Sequence, residues 1–178
     1  MTQTTTWKID PAHSVAEFKI KHMMIANVKG KFSGINGTLN FDEASPANST
    51  VEASIPLETV STGDAQRDGH LKSADFFNVE VHPTMTFKST KIEVKKPGEL
   101  AVTGDLTIHG ITKPVTFHVE GPTPPAKDPW GNTRVGLEAT AKINRKDFGL
   151  TWNAALETGG VLVGEEVAIS LDVEFIKA

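Results

Sequence analysis

Four residues suited to acid–base or anion chemistry lie close together, because Arg67, Asp68, His70 and Lys72 fall within six positions. An imidazole two residues from a carboxylate can form a general acid–base pair in a non-helical turn. Ser73 would then be the nearby nucleophile, although a triad is defined by geometry and not by sequence order. The same cationic side chains can instead bind an anion, especially beside a helix N-terminus. The residue types alone leave catalysis and anion binding open.

The same segment also has the pattern of a short helix that closes an apolar core. Asp64 is a suitable N-cap, so a helix is expected within residues 62–74. Leu71, Phe76 and Phe77 would then face inward, and the charged side chains would form a polar rim. A plain end cap and an anion-binding lid explain this pattern equally well.

No other motif in the sequence supports catalysis or a bound cofactor. The chain has no cysteine and no GxSxG, HExxH, GxGxxG or GxxxxGK[ST] motif. Its histidines are scattered, and His109 and His118 are expected to face outward beside charged neighbours. His22 differs, because it ends an inward-facing row and is expected at a rim, with His13 nearby. We therefore expect neither a metal site nor a cofactor.

The elements that must position these residues are β-strands, because apolar residues recur at every second position. In SVAEFKIKH (residues 14–22), Ala16, Phe18 and Ile20 share one face, and the lysines lie on the other. Seven more segments alternate in this way: residues 28–34, 50–57, 84–94, 99–110, 114–120, 134–144 and 166–176. About eight long strands predict a single all-β domain over residues 1–178, an antiparallel sandwich or barrel. A second short helix is expected at residues 145–150.

The apolar face of these strands also carries small residues, among them Ala16, Ala53, Gly104, Gly136 and Ala139. Small side chains leave volume that is filled either by close packing or by a ligand. Periodicity alone favours the packed core and leaves the ligand cavity open.

Composition argues against several other classes of function. The net charge of −4 and the lack of a basic run argue against a nucleic-acid partner. No apolar run approaches the ~18 residues of a membrane-spanning helix. The segment MTQTTTWKID lacks the apolar core of a signal peptide, which predicts a cytoplasmic protein as the chain stands, or a periplasmic one if a leader was removed.

Six segments in a fixed order make the sequence resemble a known family: WKIDPAHSVAEFKIKH, GKFSGINGTLNFD, RDGHLKSADFFNVEVHPTMTFKST, VTGDLTIHGITKPVTFHV, INRKDFGLTWN and VGEEVAISLDVEF. Over essentially its whole length the chain resembles the YceI-like family of lipocalin-like, polyisoprenoid-binding proteins. The resemblance implies an eight-stranded antiparallel barrel, partly closed by a short helix, around an elongated apolar cavity. It also implies an isoprenoid ligand such as a polyprenyl phosphate or a quinone-like lipid, a homodimer, and roles in lipid transport or stress response.

The favoured interpretation is a binding protein without enzymatic activity that holds such a lipid in its barrel. The side chains expected to line the cavity are Phe18, Ile20, Phe32, Phe41, Leu71, Phe76, Phe87, Leu106, Ile108, Phe117, Ile143 and Trp152. The cationic candidates for an anionic head group at the rim are His13, His22, Arg67, His70 and Lys72. One alternative is a hydrolase or isomerase that acts on such a lipid through Asp68 and His70. Another is a solidly packed structural barrel without a ligand.

Overall fold

The segments with alternating apolar residues form strands, and these strands pair into a single antiparallel sheet. The computed structural model describes residues 4–157 and 160–178. Within them lie the strands β1 (Thr4–Ile9), β2 (Val15–His22), β3 (Ala26–Phe32), β4 (Asn36–Asp42), β5 (Thr50–Pro56), β6 (Thr84–Lys96), β7 (Glu99–Ile108), β8 (Ile111–Glu120), β9 (Ala126–Lys127), β10 (Thr133–Asn144) and β11 (Val163–Lys177). Each segment predicted as a strand coincides with one of these, whereas β1, β4 and the two-residue β9 escape the sequence pattern.

Eight of the strands close into a barrel. Hydrogen-bonded neighbours run β1–β4–β5–β6–β7–β8–β10–β11, and β11 pairs back onto β1, where Ile9 lies opposite Phe175. β2 continues β1 along the same edge of β11, and β3 pairs with β2, so the β2–β3 hairpin extends the wall. This topology confirms the predicted all-β class and the eight-stranded antiparallel lipocalin-like barrel.

The interior of the barrel is apolar because each strand alternates between a dry and a wet face. β8 is the clearest case, since it buries Val115, Phe117 and Val119 and exposes Thr116 and His118 between them. The inner faces of the other strands contribute further buried side chains in two clusters that adjoin along the barrel. The strand period therefore decides which side chains can meet inside.

Within the residues that the structure describes, helical structure is limited to short segments between strands. The helix α1 (Ala65–Lys72) begins after Asp64, whose side chain accepts hydrogen bonds from the backbone N–H groups of Gln66 and Arg67 at 3.0 and 3.1 Å. This contact confirms the predicted N-cap. Single 3-10 turns occur at Pro11–His13, Pro46–Asn48, Leu57–Thr59 and Arg145–Phe148. Among the helices in residues 4–157 and 160–178, none is long and apolar enough to cross a membrane.

A charged cluster lies at the end of the barrel opposite α1, where β10 begins. Arg134 donates from Nη1 to Asp10 Oδ2 at 2.8 Å and from Nε to Asp128 Oδ2 at 2.7 Å. His13 Nδ1 lies 2.7 Å from the same Asp10 oxygen. Hydrogen bonds from Arg134, and for Asp10 also from His13, lower the pKa of both carboxyl groups from 3.8 to about 2.

Acidification from about pH 4 to about pH 2 is expected to lower the free energy of unfolding through these two carboxylates. A carboxyl group with a depressed folded-state pKa stabilises the fold above its unfolded pKa, and that contribution is lost as the pH falls through the folded value. In Arg134→Met both carboxylates lose their main donor. The variant should be less stable at neutral pH and should lose less stability on acidification. Urea unfolding at a series of pH values measures this, and equal pH dependence in the two proteins would contradict it.

Candidate functional site

Three segments surround the opening of an internal cavity at one end of the barrel. α1 and the residues after it join β5 to β6, and a second connection joins β10 to β11. The β2–β3 turn lies beside that second connection, because His22 pairs with Val163 at the start of β11. The cavity behind this opening has a volume of about 400 Å³.

The wall of the cavity is aliphatic and aromatic. All twelve side chains predicted to line a cavity lie on this wall. The ring centroids of Phe18 and Phe32 are 5.6 Å apart, and those of Phe87 and Phe117 are 5.2 Å apart in an edge-to-face contact. These contacts order the aromatic side chains, and contact of the wall with a lipid stays a prediction.

The small residues on the inner face have two different roles. Ala16, Ala53 and Ala139 line the cavity, so the volume that larger side chains would take is left open. Gly104 instead lies against the ring of Phe87, and a Cβ atom there would collide with that ring. Part of the predicted small-residue face thus leaves space, and part of it allows close packing.

Arg67 and Asp68 tie α1 to the residues just before it. Asp68 Oδ1 accepts hydrogen bonds from the N–H and Oγ1 of Thr62 at 2.8 and 2.6 Å. Arg67 donates from Nε to Thr62 Oγ1 at 2.8 Å and from Nη2 to Thr62 O at 2.9 Å. A bridge between Lys31 and Ser61 joins the same segment to β3. Arg67 and Asp68 therefore hold α1 in place.

His70 lies at the contact between α1 and the β10–β11 connection. Its ring is edge-on to Phe76 and Trp152, with centroids 5.0 and 4.7 Å away, and its Nε2 lies 2.9 Å from Asp75 Oδ2. Ser73 donates its hydroxyl to His70 O at 2.6 Å. The predicted Asp68–His70 pair is wrong, because the carboxylate next to His70 belongs to Asp75.

The structure brings three of the five predicted rim residues to the cavity. His22, Arg67 and His70 line the cavity, and they lie at its opening because His22 and Arg67 are also exposed to solvent. Lys72 does not line the cavity, and its Nζ lies 3.8 Å from Glu58 Oε1. The predicted placement of His13 is also wrong. β2 separates His13 from His22, and His13 belongs to the charged cluster around Arg134 at the opposite end.

Among the lining residues that the sequence pattern does not assign to the site is a buried cation, Arg145. Its side chain is only 2% exposed and lies on the cavity wall. It donates hydrogen bonds to the carbonyl oxygens of Gly164, Leu150, Trp152 and Val163, at 2.7, 2.6, 2.8 and 3.3 Å. Burial lowers the pKa of its guanidinium group, which stays charged because arginine is effectively always protonated. The only signal for Arg145 in the sequence is that a cationic residue directly follows a strand whose last apolar residue faces inward.

Two groups of side chains in the described residues have a spacing that a metal ion can use: Asp10, His13 and Glu174, and Glu99, His118 and Glu120. In the first group Arg134 already binds Asp10. In the second group His118 and Glu120 are exposed on the outer face of β8. Neither group lies on the cavity wall.

The fold and the site define a class of protein: a lipocalin-like β-barrel whose internal apolar cavity opens beside a short helix. The model of the YceI-like domain matches residues 7–175. The chain therefore belongs to the YceI-like family, as the sequence motifs indicate.

Relatives and solved structures agree with this assignment. A UPF0312 protein of Pseudomonas aeruginosa is 40% identical over 174 residues, which cover 96% of this chain and 86% of the relative. The crystal structure of a YceI protein from Campylobacter jejuni is 31% identical, with a TM-score of 0.72, and the match covers 89% of this chain and 90% of that one. A polyisoprenoid-binding domain from Saccharophagus degradans shares the fold at 14% identity, with a TM-score of 0.67 over 99% of this chain and 100% of that one.

Proposed function

We propose that this protein binds the hydrocarbon tail of a long-chain isoprenoid or similar amphiphilic lipid, without enzymatic activity. The observation that carries the proposal is the internal cavity of about 400 Å³ with an aliphatic and aromatic wall. Its size falls within the range of roughly 300–1,000 Å³ that is usual for small-molecule sites. The Saccharophagus degradans domain of the same fold is described as polyisoprenoid-binding, which supports a ligand of this class.

An apolar tail gains affinity from such a wall by leaving water. Each buried CH₂ group contributes about 0.8 kcal/mol, so a long tail binds tightly without polar contacts. The same physics discriminates poorly between tails, because one methylene changes binding by only about 1–3 kcal/mol. Cavity length and the head group therefore decide which lipid is preferred.

The head group would lie at the opening, near His22, Arg67 and His70. Arg67 uses Nε and Nη2 to bind Thr62, and its Nη1 makes no hydrogen bond within the described residues. A free guanidinium N–H suits a phosphate oxygen. The contacts of His70 with Asp75, Phe76 and Trp152 support a role in closing the opening rather than in catalysis.

Added prenyl lipid is expected to raise the melting temperature of the purified protein. At a free ligand concentration of about a hundred times Kd, binding adds about 2.7 kcal/mol, or roughly 5–10 °C for a chain of this size. Native mass spectrometry of protein from its own host should also detect a co-purified lipid. Inorganic pyrophosphate is the control for the head group alone and should give a much smaller shift. If no lipid co-purifies and no prenyl lipid shifts the melting temperature, the binding proposal fails.

Three finer points stay proposals: assembly as a homodimer, a place in lipid transport or stress response, and the cellular location. Sedimentation equilibrium measures the first. Growth of a deletion strain under membrane stress bears on the second, and cell fractionation decides the third.

A further inference from the structure

We propose that the tip of the β2–β3 hairpin docks this protein onto the surface of an anionic lipid bilayer. The tip is the turn formed by Met23, Met24 and Ile25, whose residues are 40%, 60% and 80% exposed. Large apolar side chains grouped at the surface mark an interaction site more often than single ones do. This inference goes beyond ligand binding and does not depend on what the cavity holds.

The two residues at the centre of this turn are not of the types that its backbone conformation favours. Ile25 N–H donates to His22 O at 3.2 Å, and the two central residues, Met23 and Met24, have φ values of 53° and 61°. Hairpin turns with two positive φ values favour Asn and Gly, which adopt this conformation at low cost. Two methionines are strained there, and such strain is concentrated at functional sites.

Lysines lie directly behind the tip, on the outer face of the hairpin. The register places Lys19 opposite Lys29 and Lys31 opposite Glu17, and Lys21 shares the same face nearer the tip. None of these four lysines forms an ion pair within the part of the chain that the structure describes. These lysines make the face positive, whereas the chain as a whole has a net charge of −4. A positive face behind an apolar tip fits anionic phospholipid head groups above acyl chains.

The tip is adjacent to the opening of the cavity. Met23 N–H donates to Leu162 O at 2.7 Å, and both His22 and Leu162 lie at the cavity. Docking through the tip would therefore place the opening against the bilayer. An apolar ligand could then pass between bilayer and barrel with little exposure to water.

Co-sedimentation with vesicles tests the docking surface. One set of vesicles contains phosphatidylcholine alone, and the other contains equal parts of phosphatidylcholine and phosphatidylglycerol. The wild type should bind the mixed vesicles, and high salt should weaken that binding. Met24→Ser/Ile25→Ser should weaken it about tenfold or more through the lost apolar burial. Lys19→Gln/Lys29→Gln should weaken it roughly 25-fold, at about fivefold per lysine.

Matched controls come from the opposite end of the barrel. Trp130 in the β9–β10 turn is 80% exposed, as is Ile25, so Trp130→Ser removes an equally accessible apolar side chain. Lys95→Gln/Lys96→Gln removes two positive charges from the end of β6. Both controls should bind mixed vesicles as the wild type does.

Two outcomes would overturn the docking proposal. The first is no binding of the wild type to mixed vesicles at low salt. In that case, a dimer that Met24→Ser/Ile25→Ser dissociates in sedimentation equilibrium would show that the tip joins two copies of the chain. The second is an equal loss in the tip variant and in Trp130→Ser. The melting-temperature shift with prenyl lipid is measured separately, so docking and ligand binding can fail independently.

Discussion

Ala139→Phe is expected to abolish binding of a prenyl lipid while the barrel stays folded. Ala139 lies in the middle of β10, opposite Val119 on β8 and Leu171 on β11, and it lines the cavity. A phenyl ring at this position would occupy the space in which the tail would lie. Overpacking a dense core costs about 1–3 kcal/mol, and the cavity should reduce that loss because the ring enters open volume. The melting-temperature shift with added lipid and the lipid detected by native mass spectrometry measure the effect.

The adjacent residue provides the control for this substitution. Thr140 lies on the same strand with its side chain exposed on the outer face, so Thr140→Phe adds a similar ring outside the barrel. This variant should bind lipid as the wild type does. Unchanged lipid affinity in Ala139→Phe would contradict the assignment of this cavity as the binding site.

The cavity wall could be predicted from sequence because strand alternation is a local property. A residue on a strand faces either the interior or the solvent, and its neighbours at two-residue spacing share that face. Once Phe18 and Ile20 are assigned to the inner face, the side of each other residue in β2 follows. Closure of the barrel then brings the inner faces of different strands together.

β1 and β4 could not be predicted in this way. β1 begins with three threonines and β4 contains two asparagines and a glycine, so neither segment shows a strong apolar row. Their inner residues Trp7, Ile9 and Leu39 are buried because β1 pairs with β4 and with the end of β11, and β4 also pairs with β5. Those pairings join distant parts of the chain and leave little trace in the local pattern.

The partners of the charged side chains depend on the rotation of α1. Residues two apart on a helix do not face each other, so Asp68 and His70 diverge once residues 65–72 become helical. Asp68 turns back to Thr62, and His70 meets Asp75 and Trp152. A prediction made for a non-helical turn therefore assigned the wrong carboxylate.

Arg145→Met is expected to lower the free energy of unfolding by about 3–5 kcal/mol, because it removes charged donors from several buried carbonyl oxygens at once. Two of the four carbonyl groups that Arg145 binds, those of Leu150 and Trp152, belong to the β10–β11 connection. The other two, those of Val163 and Gly164, belong to the start of β11. Methionine fills a similar volume but satisfies none of them. The loss should also weaken lipid binding, because this connection carries Trp152 at the opening. Urea unfolding and the lipid-induced melting shift measure the two effects.

Two further variants test whether Arg145 stabilises the fold through its hydrogen bonds or through its charge. Lys146 is exposed and lies 2.7 Å from Glu165, so Lys146→Met removes only a surface ion pair and should cost less than about 1 kcal/mol. Arg145→Lys keeps the charge, but a single ammonium group cannot reach all four of the carbonyl oxygens that the planar guanidinium binds. It should therefore recover only part of the stability. Full recovery by lysine would show that the charge is sufficient, whereas partial recovery would show that the forked geometry of arginine holds the β10–β11 connection to the start of β11.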